Sequence, residues 1–215
     1  RDSFFRCGLE LLGNQIELWE AMLAVMKLGA VILPTSQALQ DFDLEDRIPR
    51  ARVRAVLANP ADEAKFDGVA DLTFLTTGPA HGRWRSIAQA AEFPATPRRV
   101  VTDASDPVLY YFTSGTTKDP KLVVHTQVSY PVGHLSTMYF LGVRPGDIHL
   151  NISSPGWGKH AWSSFFSPWL AEATVFSYTY QRFDAAALLR ELEDAKVTTF
   201  RSEERRVGKE CSLPC

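Results

Sequence analysis

Two hydrophobic periods share this chain. Leu18, Met22, Val25 and Met26 recur at the three-and-four spacing of one helix face, and Gly29 closes the run. Asn14 followed by Glu17 has the spacing of a capping box and predicts where that helix opens. Ala30 to Leu33 is a short apolar run stopped by Pro34, so the pair reads as a helix feeding a strand. The alternation continues with a mostly polar helix over 41–51, a strand over 53–58 ending at Asn59 and Pro60, a helix over 60–66 and a strand over 72–75. Helices between strands predict an α/β fold of layered sheets with flanking helices.

Between Thr76 and Val101 the pattern dissolves into a connection punctuated by Gly78, Pro79, Gly82, Pro94 and Pro97, with a helical piece over 84–91 and His81 as a solvated loop residue. Val108 to Phe112 and Leu122 to Val124 are β-prone runs on either side of a hydroxyl-rich loop. Beyond them the pattern predicts a helix over 127–141, a turn over 142–147, a strand over 148–152, a buried aromatic helix over 161–170 and a strand over 173–178. A helix over 184–196 with Leu188, Leu189 and Leu192 inward and a final strand from Val197 to Phe200 complete it.

With 215 residues, 45% of them hydrophobic, the chain has ample material for a core. A net charge of −2 without a basic stripe argues against nucleic-acid binding by bulk electrostatics. The longest apolar stretch, Ala21 to Pro34, is interrupted by Lys27 and Gly29 and is too short for a bilayer, so no membrane span is expected. Cys7, Cys211 and Cys215 form neither a disulfide framework nor a metal cluster, and no secretion signal is visible, which predicts a reducing, cytoplasmic setting.

The chemistry concentrates in the loop. Thr113, Ser114, Thr116 and Thr117 around Gly115 offer hydroxyls and backbone N–H groups able to curl around phosphate oxygens, and Lys121 supplies charge. The glycine lets the backbone approach a bulky anion. The spacing is not that of a P-loop, which needs a longer glycine frame leading into a helix. A lone Ser-Gly-Thr with a solvated lysine would read better as a polar hairpin loop.

From Phe112 to Lys121 the chain resembles the phosphate loop of the adenylate-forming superfamily: acyl-CoA synthetases, luciferases and peptide-synthetase adenylation domains. That loop runs Tyr/Phe-Thr-Ser-Gly-Thr/Ser-Thr-Gly-x-Pro-Lys. Lys118 stands at the family's second glycine, where a left-handed backbone would cost on the order of 1 kcal/mol, and it adds a cation beside the phosphates. The stretches Asn14 to Ala21 and Gly29 to Pro34 resemble the family's early core. The resemblance implies the N-terminal domain of an enzyme using ATP, Mg2+ and CoA to join a carboxylic acid to a thiol, with Thr113 to Lys118 and Lys121 on the phosphates and Thr116 beside the magnesium.

It further implies that the segment after the 148–152 strand lines an acyl pocket, with Trp157 as a wall, Gly158 leaving room for an acyl group longer than acetate, and Lys159 and His160 near a carboxylate or the CoA phosphates. From composition alone Trp157 reads equally as a core anchor, and Lys159 and His160 as a solvated helix start. His125, just past the second strand of the loop, could pair with a backbone carbonyl or sit near the nucleotide, and the structural role is the favoured reading. The run from Gly142 to Asp147 and the Gly-Trp pair look most like medium-chain acyl-CoA synthetases. A carrier-protein-loading adenylation domain and a non-catalytic fragment with residual ATP binding are the alternatives.

Both ends carry expectations too. Arg1 is no start, and the stretch from Arg201 to Cys211 resembles the in-frame translation of a sequencing adapter, so residues 1–200 are expected to be an incomplete AMP-binding domain and 201–215 a non-native tail. Four cations against three acids give the tail a charge of +1, leaving −3 for the rest. The family's catalytic lysine lies in a later domain, so no catalytic residue is expected here.

Overall fold

The chain's computed structural model describes residues 6–96, 100–113, 120–180 and 182–202. Its centre is a strand that the periodicity did not announce. β1 (Cys7–Leu11) lies in the middle of a seven-stranded sheet of order β5-β4-β3-β1-β2-β6-β7, with β2 (Val31–Pro34), β3 (Val53–Ala58), β4 (Thr73–Thr76), β5 (Trp84–Ser86), β6 (Pro107–Thr113) and β7 (Lys121–Thr126). All pairings are parallel except β6 with β7, which run antiparallel. A mostly parallel sheet is covered on both faces, so its strands are apolar almost throughout rather than alternating, and short ones such as β1 escape a period-two search. The carboxyl of Glu10 is buried within β1 at 1% exposure, and burial pushes its pKa well above the carboxylate range.

Successive side chains on each strand point to opposite faces. Leu9, Leu11, Val31, Leu33, Val56 and Ala58 pack with Leu44 and Ile48 of helix α2 (Asp41–Arg50). Ile32, Leu57, Leu109 and Tyr111 pack on the other face with Leu18, Trp19 and Met22 of helix α1 (Ile16–Lys27). The predicted capping box of α1 does not form. Gln15 is its N-cap and makes no side-chain cap; the Asn14 side chain turns to distant partners instead. Gly29 does close the helix, at φ +63°, where an L-residue would be strained.

The stretch from Thr76 to Val101 holds the edge strand β5 and a 3-10 helix (Ile87–Glu92), not one helical piece, and 60–66 is likewise 3-10. His81 is exposed, as expected, but meets Glu63 Oε2 at 2.8 Å.

After β7 comes helix α3 (Ser129–Leu141), closed by Gly142, then a second, parallel sheet of order β10-β8-β9 with β8 (Ile148–Ile152), β9 (Thr174–Val175) and β10 (Thr199–Ser202). The expected 173–178 strand is only the two residues of β9. β10 runs through Arg201 and Ser202, pairing with Asn151 and Ile152, two residues beyond the predicted stop. The aromatic helix is α4 (Gly158–Ala161) and α5 (Ser167–Leu170) joined by a π-helical turn, Trp162–Phe166. In helix α6 (Ala185–Asp194) Leu188 is buried, but Leu189 is 64% exposed rather than inward. Among the described residues no helix is long and apolar enough to cross a membrane.

Candidate functional site

Parallel strands end on a common edge, where ligands of open α/β sheets bind. Asn14 follows β1, Ser36 follows β2 and Thr113 ends β6, so all three lie on one edge of the large sheet. The β6–β7 hairpin rises there as a ladder from Leu109↔His125 to Thr113↔Lys121, and Thr113 and Lys121 are exposed at its open end. Ser114, Gly115, Thr116, Thr117 and Lys118 lie outside the described residues. Alternation turns Tyr111 into the α1 face and Phe112 toward α2. There Arg47 and Arg50 sit 5.2 and 5.1 Å from the Phe112 ring centre, and Arg50 donates to the Pro120 carbonyl. Two guanidinium groups therefore back the stem of the loop, although their helix had read only as polar.

The second half of the site follows β8. Segment 153–160 crosses from the small sheet to the large one, and Gly156 is its tightest contact: a Cβ there would stand 2.3 Å from the Ser36 backbone nitrogen, a separation side-chain atoms do not tolerate. Only glycine fits that crossing. Trp157 is 64% exposed, which rules out the core-anchor reading. Gly158 faces Tyr111, with an added Cβ at 3.9 Å from the ring, so a small side chain would fill space rather than collide. Tyr130 of α3, itself buried, donates from its hydroxyl to the Gly158 carbonyl at 2.8 Å. The Tyr111 hydroxyl lies beside the Tyr130 hydroxyl and the Ala161 backbone. Burial raises the pKa of both phenols far above its usual value.

Lys159 is exposed, whereas His160 is 1% exposed and not part of a solvated helix start. Its Nε2 donates to Asn14 Oδ1 at 2.7 Å and its ring lies 5.7 Å from Trp19. Burial pulls its pKa down to about 3, so the ring is neutral at ordinary pH. The structure thus separates the predicted pocket residues: Trp157 and Lys159 on the surface, Gly158 against Tyr111, His160 inside.

Behind Tyr130 lies a cleft of about 260 Å³ lined by His125, Tyr130, Gly133, His134 and Trp162. The Tyr130 ring meets both imidazoles, tilted against His125 and edge-on to His134, with centres 4.4 and 4.1 Å away. Burial lowers the pKa of His125 and, helped by the nearby His125, brings His134 to about 4. Among the described residues His125 meets these rings, and no backbone carbonyl is its partner there.

Known proteins match this chain in sequence and in fold. The chain is 38% identical over 187 residues to 4-hydroxybutyrate--CoA ligase 1 of Metallosphaera sedula, covering 85% of this chain and 32% of that protein. It is 29% identical to the mouse mitochondrial acyl-coenzyme A synthetase ACSM3, covering 86% and 33%. The chain thus spans about a third of the length of these curated relatives. The Brucella canis acyl-CoA synthetase superposes with a TM-score of 0.80 at 23% identity over 92% of this chain and 37% of that one. The anthranilate CoA ligase AuaEII, solved with anthranoyl-AMP, gives 0.82 at 20% identity over 92% and 40%. These likenesses show the fold, the N-terminal domain of adenylate-forming enzymes. The model of the AMP-binding enzyme family matches residues 10–202, from the buried glutamate of β1 to the end of β10, and this chain belongs to that family.

Proposed function

We propose that the protein to which this chain contributes activates a carboxylic acid larger than acetate as an acyl-adenylate, with loss of pyrophosphate, and transfers the acyl group to the thiol of CoA. The observation that carries this reading is the convergence of two features on one sheet edge. The hairpin bearing the phosphate-loop sequence opens at Thr113 and Lys121, and segment 153–160 lies against Tyr111, two residues from the start of that loop.

The described flanks suit an anionic ligand. Thr113 and Lys121 are exposed at the open end of the hairpin, so a triphosphate laid across the loop meets the Lys121 ammonium, while Arg47 and Arg50, the latter paired with Asp46, brace the stem behind it. Ser114, Thr116 and Thr117 would add hydroxyls and Gly115 close backbone approach, with Lys118 as a further cation and Thr116 beside the magnesium that accompanies the nucleotide. The loop holds the departing phosphates while charge develops on them, and orientation of the acid supplies the rest. Trp157 forms a wall for the acyl group, and Gly158, where an added Cβ would already touch the Tyr111 ring, keeps side-chain volume out of a site for acids larger than acetate. Lys159 faces solvent, where the anionic groups of CoA can reach it.

In this reading the chain through Ser202, the end of β10, is part of an N-terminal AMP-binding domain, the sequence after it is appended, no nucleic acid is a partner, and the enzyme works in the cytoplasm. The test is acid-dependent exchange of pyrophosphate into ATP by the protein at its full encoded length, with acetate, 4-hydroxybutyrate, hexanoate and benzoate. Exchange is expected with one of the three larger acids in preference to acetate. Replacing Ser114, Thr116 and Lys121 jointly by alanine is expected to lower it about 100-fold or more. Undiminished exchange in that variant, or a preference for acetate, overturns the reading.

A further inference from the structure

Asn14 makes four hydrogen bonds to two distant stretches of the chain, 153–160 and 177–179. Its Nδ2 donates to the Ser153 carbonyl at 3.1 Å, and its Oδ1 accepts from His160 Nε2 at 2.7 Å. Its backbone carbonyl accepts from the Ser177 hydroxyl at 2.9 Å and from the Thr179 hydroxyl. Ser153 and His160 are the two ends of the segment that carries Trp157 and Gly158. The amide orientation follows from these partners, since turning it over would set Oδ1 against the Ser153 carbonyl. His160 is thereby the neutral tautomer protonated on Nε2.

Gly156 presses on Ser36 and Tyr130 holds the Gly158 carbonyl. Asn14 stands after β1, on the edge where the phosphate loop opens. One side chain thus ties the acyl-side segment to the sheet carrying the loop.

We propose that Asn14 is a positioning residue for the acid: by clamping Ser153 and His160 it fixes Gly158 against Tyr111 and holds Trp157 beside it, setting the acyl site relative to the phosphate loop. This rests on the functional reading above. It makes a selective prediction, because the clamp touches the acid's side of the site and not the stem of the loop.

Two readouts test it. In the 215-residue chain, imidazole NMR of His160 is expected to show no titration between pH 5 and 8. In Asn14→Asp, a carboxylate beside Nε2 is expected to bring His160 titration into that range. An unchanged His160 signal overturns the clamp itself. In the protein at full encoded length, Asn14→Ala and His160→Leu are expected to raise KM for the acid about tenfold while KM for ATP stays within twofold. His160→Gln, which keeps a donor at the same reach, is expected to restore most of it. An acid KM within twofold of the unmutated protein, or equal shifts in both constants, means Asn14 only stabilises the fold and overturns the proposal. Absence of exchange by the unmutated protein with every acid overturns the functional reading instead, and the NMR arm still decides the clamp.

Discussion

The hairpin stem and segment 153–160 stand on the same edge, yet they are held in opposite ways. The stem is fixed by a backbone ladder from Leu109↔His125 to Thr113↔Lys121, which uses groups every residue owns. The segment is fixed by particular atoms: the missing Cβ of Gly156, the Tyr130 hydroxyl and the Asn14 amide. Geometry built from main-chain bonds tolerates substitution, so the loop can vary in sequence while its stem stays in place. Geometry built from single side chains does not, so the acyl side is where a point change can move the site.

The sharpest way to break this contrast is steric. Gly156→Val drives atoms into the Ser36 backbone and is expected to cost about 3 kcal/mol. Thr113→Val on the exposed stem is expected to change stability by no more than about 0.5 kcal/mol. Urea unfolding of both variants measures the difference, and equal losses would erase the distinction.

The large sheet's central strand and segment 153–160 should also respond to pH with opposite signs. Glu10 in the large sheet has a folded pKa raised well above its unfolded value of about 4.3, so the folded state holds the extra proton and stability falls as pH rises above that value. His160 has a folded pKa of about 3 against about 6.5 unfolded, so its contribution is complete above 6.5 and is lost as pH falls toward 3. Each limb is expected to have a slope of up to about 1.4 kcal/mol per pH unit. His134, held at about 4, adds to the acid limb. Unfolding curves between pH 4.5 and 7.5 check this: Glu10→Gln should flatten the alkaline fall, and His160→Gln should reduce the acid loss.

Smaller effects sharpen the picture. Tyr130→Phe leaves the Gly158 carbonyl without its donor and is expected to cost about 1 kcal/mol by urea titration. Trp157→Ala, at an exposed position, is expected to change stability by under about 0.5 kcal/mol while raising KM for the acid. A large stability loss there would mean that the ring is structural after all.

Legibility followed the same divide. The stem could be read because apolar runs on either side of a turn-rich loop leave a local signature, and α1, α2 and α3 because a one-sided helix, a charged helix and a left-handed Gly142 stop all mark themselves. β1 escaped because a central parallel strand has no alternation, and Glu10 within it looks like a surface residue. Asn14 was misread because its spacing to Glu17 is that of a cap, a local rule that long-range bonds overrode. Leu189 lay on the outer side of a face too short to orient by period, and β5 is only three residues long.

The sequence by itself determined the alternation of strands and helices, the hydroxyl-rich turn and the family, since each is written in neighbours along the chain. Only the tertiary structure decided that Trp157 faces outward, that His160 is buried and neutral, and that Asn14 reaches residues 139 and 146 positions away. Exposure, proton affinity and partnership depend on what the folded chain brings near an atom, and residues that far apart meet only after two sheets have stacked their edges.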